Sequence, residues 1–382
     1  MNQHRLHGSA VGSLGRAVDK TKGGNPVNTR KWAVGLGAMV ALSTLVVGCG
    51  AATNNSAGGT KTANGTGGNP SGTTFKVGLV TDTGGLNDHS FNHLAYLGLQ
   101  KAESQLGVKG EVVQSQAASD YVPELTRFAQ NGDNLVIAVG FLMQQAVQQV
   151  SKEYPNTKFL IIDDPITGRP NVVSAIFDTQ QCGYLVGAMA GLMQKQHGIK
   201  GINGQNVLGV IGGQNIPPVT SYIAGFYQGA QKVDPGVKII LNYANSFTDQ
   251  ATGQQLAKDE IAKGADIIFP VAGGTGTGSI NAAKAAGVYA IGVDANQNYL
   301  APQTVITSAL KAVDTATYDV IKEAQQGQFK SGVQTFDLSN NGVGIAPPTS
   351  TVPQSIVQQV NQLSSQIKSG AITVSPNIPT GK

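Results

Sequence analysis

From Lys76 onward the chain alternates short runs that are almost wholly apolar with longer stretches whose apolar residues recur every three or four positions. The runs KVGLV, GEVVQ, NLVIAVG, KFLIIDD and NVVSAIF predict strands. After QQCGYLVGAMAGLMQKQ, which reads as a helix, the pattern restarts with NVLGVIGG, VKIILNYA, ADIIFPVAGG and VYAIGVD. Strands with no polar face, separated by helices, predict parallel sheets covered on both sides. The restart near residue 205, behind the loop HGIKGINGQ, predicts two similar doubly wound α/β lobes. TVITSALKAVDTATYDVIKEAQQG adds one strand and one helix, and VPQSIVQQVNQLSSQIKSG a last amphipathic helix opened by Pro353. At 382 residues the chain exceeds what one core usually holds, so its length also favours two lobes.

The first 75 residues follow a different pattern. Arg30 and Lys31 precede an apolar run of about 17 residues that ends Val46-Val47-Gly48-Cys49. A basic start, an apolar middle and small residues at the end make a secretory signal. The closing tetrapeptide resembles a bacterial lipobox, where the signal is cut before a cysteine that is then acylated. An ordinary anchor helix with an incidental cysteine is the alternative. Behind Cys49 comes AATNNSAGGTKTANGTGGNPSGTT, too poor in apolar residues to bury a core, which reads as a flexible tether. Residues 1–26 are a long prelude to such a signal, and Val27 is a candidate true start.

Charge matters only once this segment is set aside. The whole chain carries +4, but residues 1–48 hold six basic residues and one acid, a net +5, so the remainder is at −1. A nearly neutral body implies no nucleic-acid partner. Hydrophobic content of 40% with 13% charged residues describes a globular body. Cys182 has no second thiol in that body to pair with and reads as a small buried helix residue.

Catalytic equipment is sparse. HExxH, CxxC, GxSxG and GxxxxGK[ST] are all absent from the sequence. His89 and His93 are spaced to clamp a metal, but no HExxH glutamate lies between them and surface or capping roles fit better, so no metal or cofactor is expected. GGTGTGS at 273–279 resembles a dinucleotide loop, with Asp294 20 residues beyond Gly274. The spacing is not GxGxxG, since Ser279 stands at the third glycine position. What survives is a helix start whose small residues let a ligand approach backbone N–H groups. The polar residues instead gather at strand ends: VTDTGGLND, IIDD, YANSF, VAGGTGTGS, GVDANQ and ITSALK. In doubly wound sheets that is where ligands bind.

Five stretches in consistent order resemble the basic-membrane-protein family: VGLVTDTGGLNDHSFNHLAYLGL, NVVSAIFDTQQCGYLVGAMAG, YANSFTDQATGQQLAKDEIAKGADIIFPVAGGTGTG, AIGVDANQNYLAP and TSALKAVD. The resemblance covers about residues 75–345. That family comprises substrate-binding lipoproteins of ABC importers, whose characterised members bind purine nucleosides. It implies the type I periplasmic-binding-protein fold, two α/β lobes joined by three crossovers. It also implies that Phe91 stacks on the base, that Asp82 with the Asn87–Asn92 region meets the base's polar edges, and that Asp163 or Asp164, with Asp164 preferred, contacts the base. Phe247 is the candidate opposite wall, Gly274 a backbone contact, and Asp294 with Lys311 the ribose clamp. Core packing for either phenylalanine, a capping role for one aspartate and a solvated Lys311 are the alternatives. Two departures lie on the base side: Asn87-Asp88 where two acids are usual, and Gln144-Gln145 where an acid is common.

The resulting expectation is a lipid-anchored receptor on the extracytoplasmic face that captures a nucleoside by lobe closure and delivers it to an ABC permease and its ATPase. A sensory or adhesive lipoprotein, and a nucleoside-acting enzyme, are the other classes. The expected division is a signal over 1–48, a lipidated Cys49 and tether over 49–74, lobe 1 over 75–178 plus about 304–330, and lobe 2 over 179–303 plus about 331–375. Cys49→Ser is expected to yield protein that is uncleaved or released without lipid, read by mass spectrometry of the mature chain. An unmodified Cys49, or cleavage elsewhere, would show that the lipobox reading is wrong.

Overall fold

The computed structural model describes residues 74–379, so the signal, Cys49 and tether expectations lie outside the described residues. Lobe 1 opens with β1 (Lys76–Thr81), α1 (Phe91–Leu106), β2 (Lys109–Gln114), α2 (Tyr121–Gln130), β3 (Leu135–Val139), α3 (Gln144–Glu153), β4 (Lys158–Ile162) and β5 (Val172–Phe177). Lobe 2 follows with α4 (Thr179–Lys195), β6 (Val207–Gly212), α5 (Pro217–Val233), β7 (Lys238–Tyr243), α6 (Gln250–Ala262), β8 (Ala265–Val271), α7 (Gly273–Ala286), β9 (Tyr289–Asp294) and β10 (Val305–Lys311). The chain then supplies α8 (Val313–Gln325), β11 (Gly332–Phe336), β12 (Val343–Ile345) and α9 (Gln354–Lys368).

Two six-stranded sheets result, ordered β11-β5-β4-β3-β1-β2 and β12-β10-β9-β8-β6-β7. Every pair is parallel except β10 with β12. Strands such as β3 and β8 are buried at every position, as sheets covered on both faces require. One apolar core runs continuously through both lobes, from Val77, Leu79 and Leu99 to Leu208, Phe226 and Phe269. Smaller cores under α2 and α3 in lobe 1 and under α6 and α7 in lobe 2 cover the other faces.

The lobe boundaries differ from the expectation. β10 follows β9 after the connection 295–304, which holds one 3-10 turn and no crossing to lobe 1, and pairs with β9 in parallel, so residues 305–311 belong to lobe 2. The crossing comes one residue later, at Ala312, and carries α8 against α1. β11 then pairs with β5, which puts 332–336 in lobe 1, before the chain returns to β12 and α9 on lobe 2. An apolar run shows that a strand is buried but not which of two sheets will take it. The pattern also passed over β11 and β12. β11 alternates in burial because it is an edge strand, and β12 is three residues long.

Lobe 2 is built around α4 and α5, which touch backbone to backbone. Gly183, Gly187 and Gly191 on α4 face Gly225 and Gly229 on α5, all at one-turn spacing and so on one stripe. A Cβ on Gly229 would lie 1.9 Å from the carbonyl oxygen of Tyr184. That contact can be relieved only by moving a helix. Gly229→Ala should therefore cost roughly 1–3 kcal/mol, the usual range for overpacking, measured as a lower urea midpoint. Gly344→Ala, where nothing lies within 4 Å of the added carbon, should stay within about 0.5 kcal/mol. Equal midpoints for the two variants would contradict the close packing.

Candidate ligand-binding cleft

The carboxyl ends of the two sheets face each other across a cleft lined by residues of both lobes, where ligands of doubly wound sheets bind. Lobe 1 supplies the long connection after β1. Its first residue, Asp82, is buried, and Oδ1 accepts from the Gly84 N–H and from Asn92 Nδ2, each at 2.8 Å. A Cβ at Gly84 would sit 2.9 Å from that oxygen, so the turn needs glycine there. Asp88 folds back over the first turn of α1 and accepts the N–H groups of Ser90, Asn92 and His93 at 2.8–3.1 Å. A carboxylate at a helix start is the favoured arrangement. Burial nevertheless pushes Asp88 up to about 7, against those hydrogen bonds.

Phe91 opens α1 and is half-buried at the cleft wall. The ammonium of Lys311, at the end of β10, lies 4.6 Å from the centre of its ring. Lys311 also bonds Asp163 at 2.5 Å, from the end of β4. Burial pushes the carboxyls of Asp82 and Asp163 up, and Lys311 pulls Asp163 back. From lobe 2, Asp294 presents a carboxylate whose Oδ1 accepts from Tyr222 Oη at 2.9 Å and whose Oδ2 accepts from Ser90 Oγ at 2.6 Å. Ser90 belongs to lobe 1, so this bond spans the cleft. Ile216, Pro218 and Val219 at the start of α5, with Phe247, form the apolar wall opposite.

Of the expected residues, Asp82, Phe91, Asn92, Phe247, Asp294 and Lys311 line one cleft. Four expectations need correction. Asn87 is exposed and lies outside it, and its neighbour Asp88 lines it instead. Asp163, not Asp164, faces the cleft, because Asp163 adopts a left-handed backbone (φ 72°) that breaks the alternation of β4. Gly273, also left-handed, lines the cleft, while Gly274 faces a neighbouring groove. Lys311 pairs with Asp163 rather than with Asp294. Tyr222 escaped sequence reasoning, because it sits in an apolar helical run that reads as pure core; Ser90, within the expected Asn87–Asn92 region, bonds Asp294 across the cleft. Cys182 is buried in α4 with its thiol directed at the Thr179 carbonyl, as expected.

Comparison with known proteins identifies this architecture. The family model Bmp, described as ABC transporter substrate-binding protein PnrA-like, matches residues 75–377. The chain belongs to the Bmp family. It is 33% identical over 79% of its length to the ABC transporter nucleoside-binding protein BmpA of Lactococcus lactis, covering 89% of that protein. It is 34% identical over 79% of its length to an uncharacterised lipoprotein of Pyrococcus horikoshii, covering 74% of it. An ABC-transporter solute-binding protein from Aeropyrum pernix superposes with a TM-score of 0.73 at 27% identity, over 80% of this chain and 94% of that one. The fold is thus the type I periplasmic-binding-protein pair of lobes, and this Bmp-family chain is a substrate-binding protein of ABC transport, not an enzyme.

Asp164 offers a test of the Asp163–Asp164 assignment. It is 0% exposed and neither carboxyl oxygen has a hydrogen-bond partner. Burial pushes it up to about 6 from an ordinary 3.8, against a smaller downward pull from the nearby Gln144 side chain that falls short of a hydrogen bond. A carboxyl raised on folding is least costly when protonated. Its contribution to stability is therefore highest below about pH 3.8, falls as pH rises towards 6, and is flat above. Asp164→Asn should melt higher than the unmutated protein at pH 8, with the gap closing by about pH 4. A gap independent of pH would mean that Asp164 has a partner and that the assignment is wrong.

Proposed function

We propose that this chain captures a nucleoside, by preference a purine nucleoside, in the cleft between its lobes and hands it to an ABC permease and ATPase while anchored outside the membrane through an acylated Cys49. The family and the printed function of the Lactococcus lactis relative support the ligand class. The lipoprotein from Pyrococcus horikoshii supports the anchor. The observation that carries the reading is the make-up of the cleft, where the aromatic side chains of Phe91 and Phe247 line the walls and carboxylates lie beside them.

Asp82, Asp88, Asp163 and Asp294 meet one ammonium, Lys311, which Asp163 already occupies. Such a site favours a ligand rich in N–H and O–H donors and opposes a phosphate. A carboxylate has about four acceptor positions; Tyr222 and Ser90 use two on Asp294, and the others suit two neighbouring hydroxyls.

Calorimetry with guanosine, deoxyguanosine, guanine and guanosine monophosphate tests this. Guanosine should bind best, deoxyguanosine about tenfold or more weakly, since a lost charge-assisted bond is worth roughly 1.5–3 kcal/mol. The free base and the monophosphate should be weaker still. Phe91→Ala should cost roughly 1–3 kcal/mol for both nucleosides alike, and Asp294→Ala should erase the preference between them. Equal affinity of the unmutated protein for all four compounds would refute the reading.

A further inference from the structure

Two residues of lobe 2 reach lobe 1 outside the cleft lining. Gln297, 1% exposed, is fixed within its own lobe. Its Oε1 accepts the Val293 N–H at 3.0 Å, and its backbone N–H donates to Ser308 Oγ at 3.1 Å. Its side-chain NH2 is thereby aimed across the gap, where it donates to the backbone carbonyl of His89 at 3.1 Å. Two residues on, Tyr299 places its hydroxyl 3.0 Å from His89 Nδ1, with the two rings edge-on at 6.0 Å. Tyr299 is 59% exposed, so core packing does not account for its position. His89 holds a left-handed backbone, φ 55°, which a non-glycine residue adopts only when its surroundings hold it there. None of the three residues lines the cleft.

We infer that Gln297 and Tyr299 form a clasp on His89 that sets the closed fraction of the protein and so scales affinity for every ligand equally, without reading any of them. Bonds that exist only while the lobes meet stabilise the closed form alone. An apparent dissociation constant is the intrinsic one divided by the binding-competent fraction, so weakening the clasp raises it by one factor for all ligands. Residues that touch the ligand change the ratio between ligands instead.

The test uses the full chain with Tyr299→Phe, His89→Ala and the double variant. It rests on the nucleoside reading only in its choice of probes. Guanosine and deoxyguanosine should both weaken by the same factor, about threefold to tenfold per lost hydrogen bond, with their ratio unchanged. The double variant should be no weaker than either single one, because both remove the same bond. Peptide-resolved hydrogen exchange without added nucleoside should speed up over residues 86–94 and 289–300 and stay unchanged in α4 and α5. Unchanged affinities, a changed ratio, additive losses or unchanged exchange would each overturn the clasp. Should exchange speed up in the variants while the unmutated protein binds no guanosine, the clasp stands and the nucleoside reading fails.

Discussion

Lys311 and Asp163 come from different lobes and meet at 2.5 Å with side-chain exposures of 2% and 7%. Removing two such charges from water costs several kcal/mol per ion, and their attraction offsets this only with good geometry and further partners. The partners are aromatic. The ammonium lies 4.6 Å from the centre of Phe91 and 5.1 Å from that of Phe177, which is stacked on Phe336 from the neighbouring strand. A cation of lobe 2 thus sits in a socket made by three strands and a helix of lobe 1. Lys311 stands just before the crossing at Ala312 and Phe177 just before α4, so the buried pair lies beside two of the connections between the lobes.

The other ion pair among the described residues, Arg127 with Glu111, is half-exposed and contributes little by comparison. What distinguishes the cleft is therefore placement, not the number of charges. Two of its lining residues at strand ends, Asp163 and Asp294, have left-handed backbones at φ 72° and 60°, as does His89 beside the cleft at φ 55°. In that conformation a strand end turns sharply enough to point a side chain at the opposite lobe. Asp and His tolerate it better than most non-glycine residues.

These turns also mark how much of the molecule was legible in the sequence. The alternation of apolar runs and amphipathic stretches carried the two sheets, because burial on both faces leaves an unbroken record in β3, β4 and β8. It also carried the clustering of polar residues at strand ends, Asp82 and Asp294 among them, while Phe91 came with the family resemblance. Two things left no record. The family resemblance favours Asp164, and no residue pattern marks the left-handed turn that points Asp163 into the cleft instead. The same left-handed backbone at Gly273 separates it from Gly274. The allegiance of β10 and β11 depended on where the chain crosses, a single residue at Ala312 that no periodicity marks. Tyr222 was invisible for another reason. Its ring belongs to the core and only its hydroxyl reaches Asp294, so its apolar neighbours gave the stronger signal.

The two ends of the cleft are also linked through α1. Asp88 Oδ1 accepts the Ser90 N–H, while Ser90 Oγ donates to Asp294 in the opposite lobe. Asp88 Oδ2 accepts from Asn92, whose side chain also holds Asp82. One carboxylate therefore orients both the group that meets Asp294 and the amide that orders Asp82. Tyr222 fixes Asp294 from the other side, on a helix that the glycine contacts of α4 and α5 keep from shifting. Lobe 2 thus presents a rigid acceptor, and lobe 1 a capped helix start whose polar groups move as one unit. Closure then brings together two preformed surfaces, so the entropy of ordering their side chains is already spent in folding each lobe.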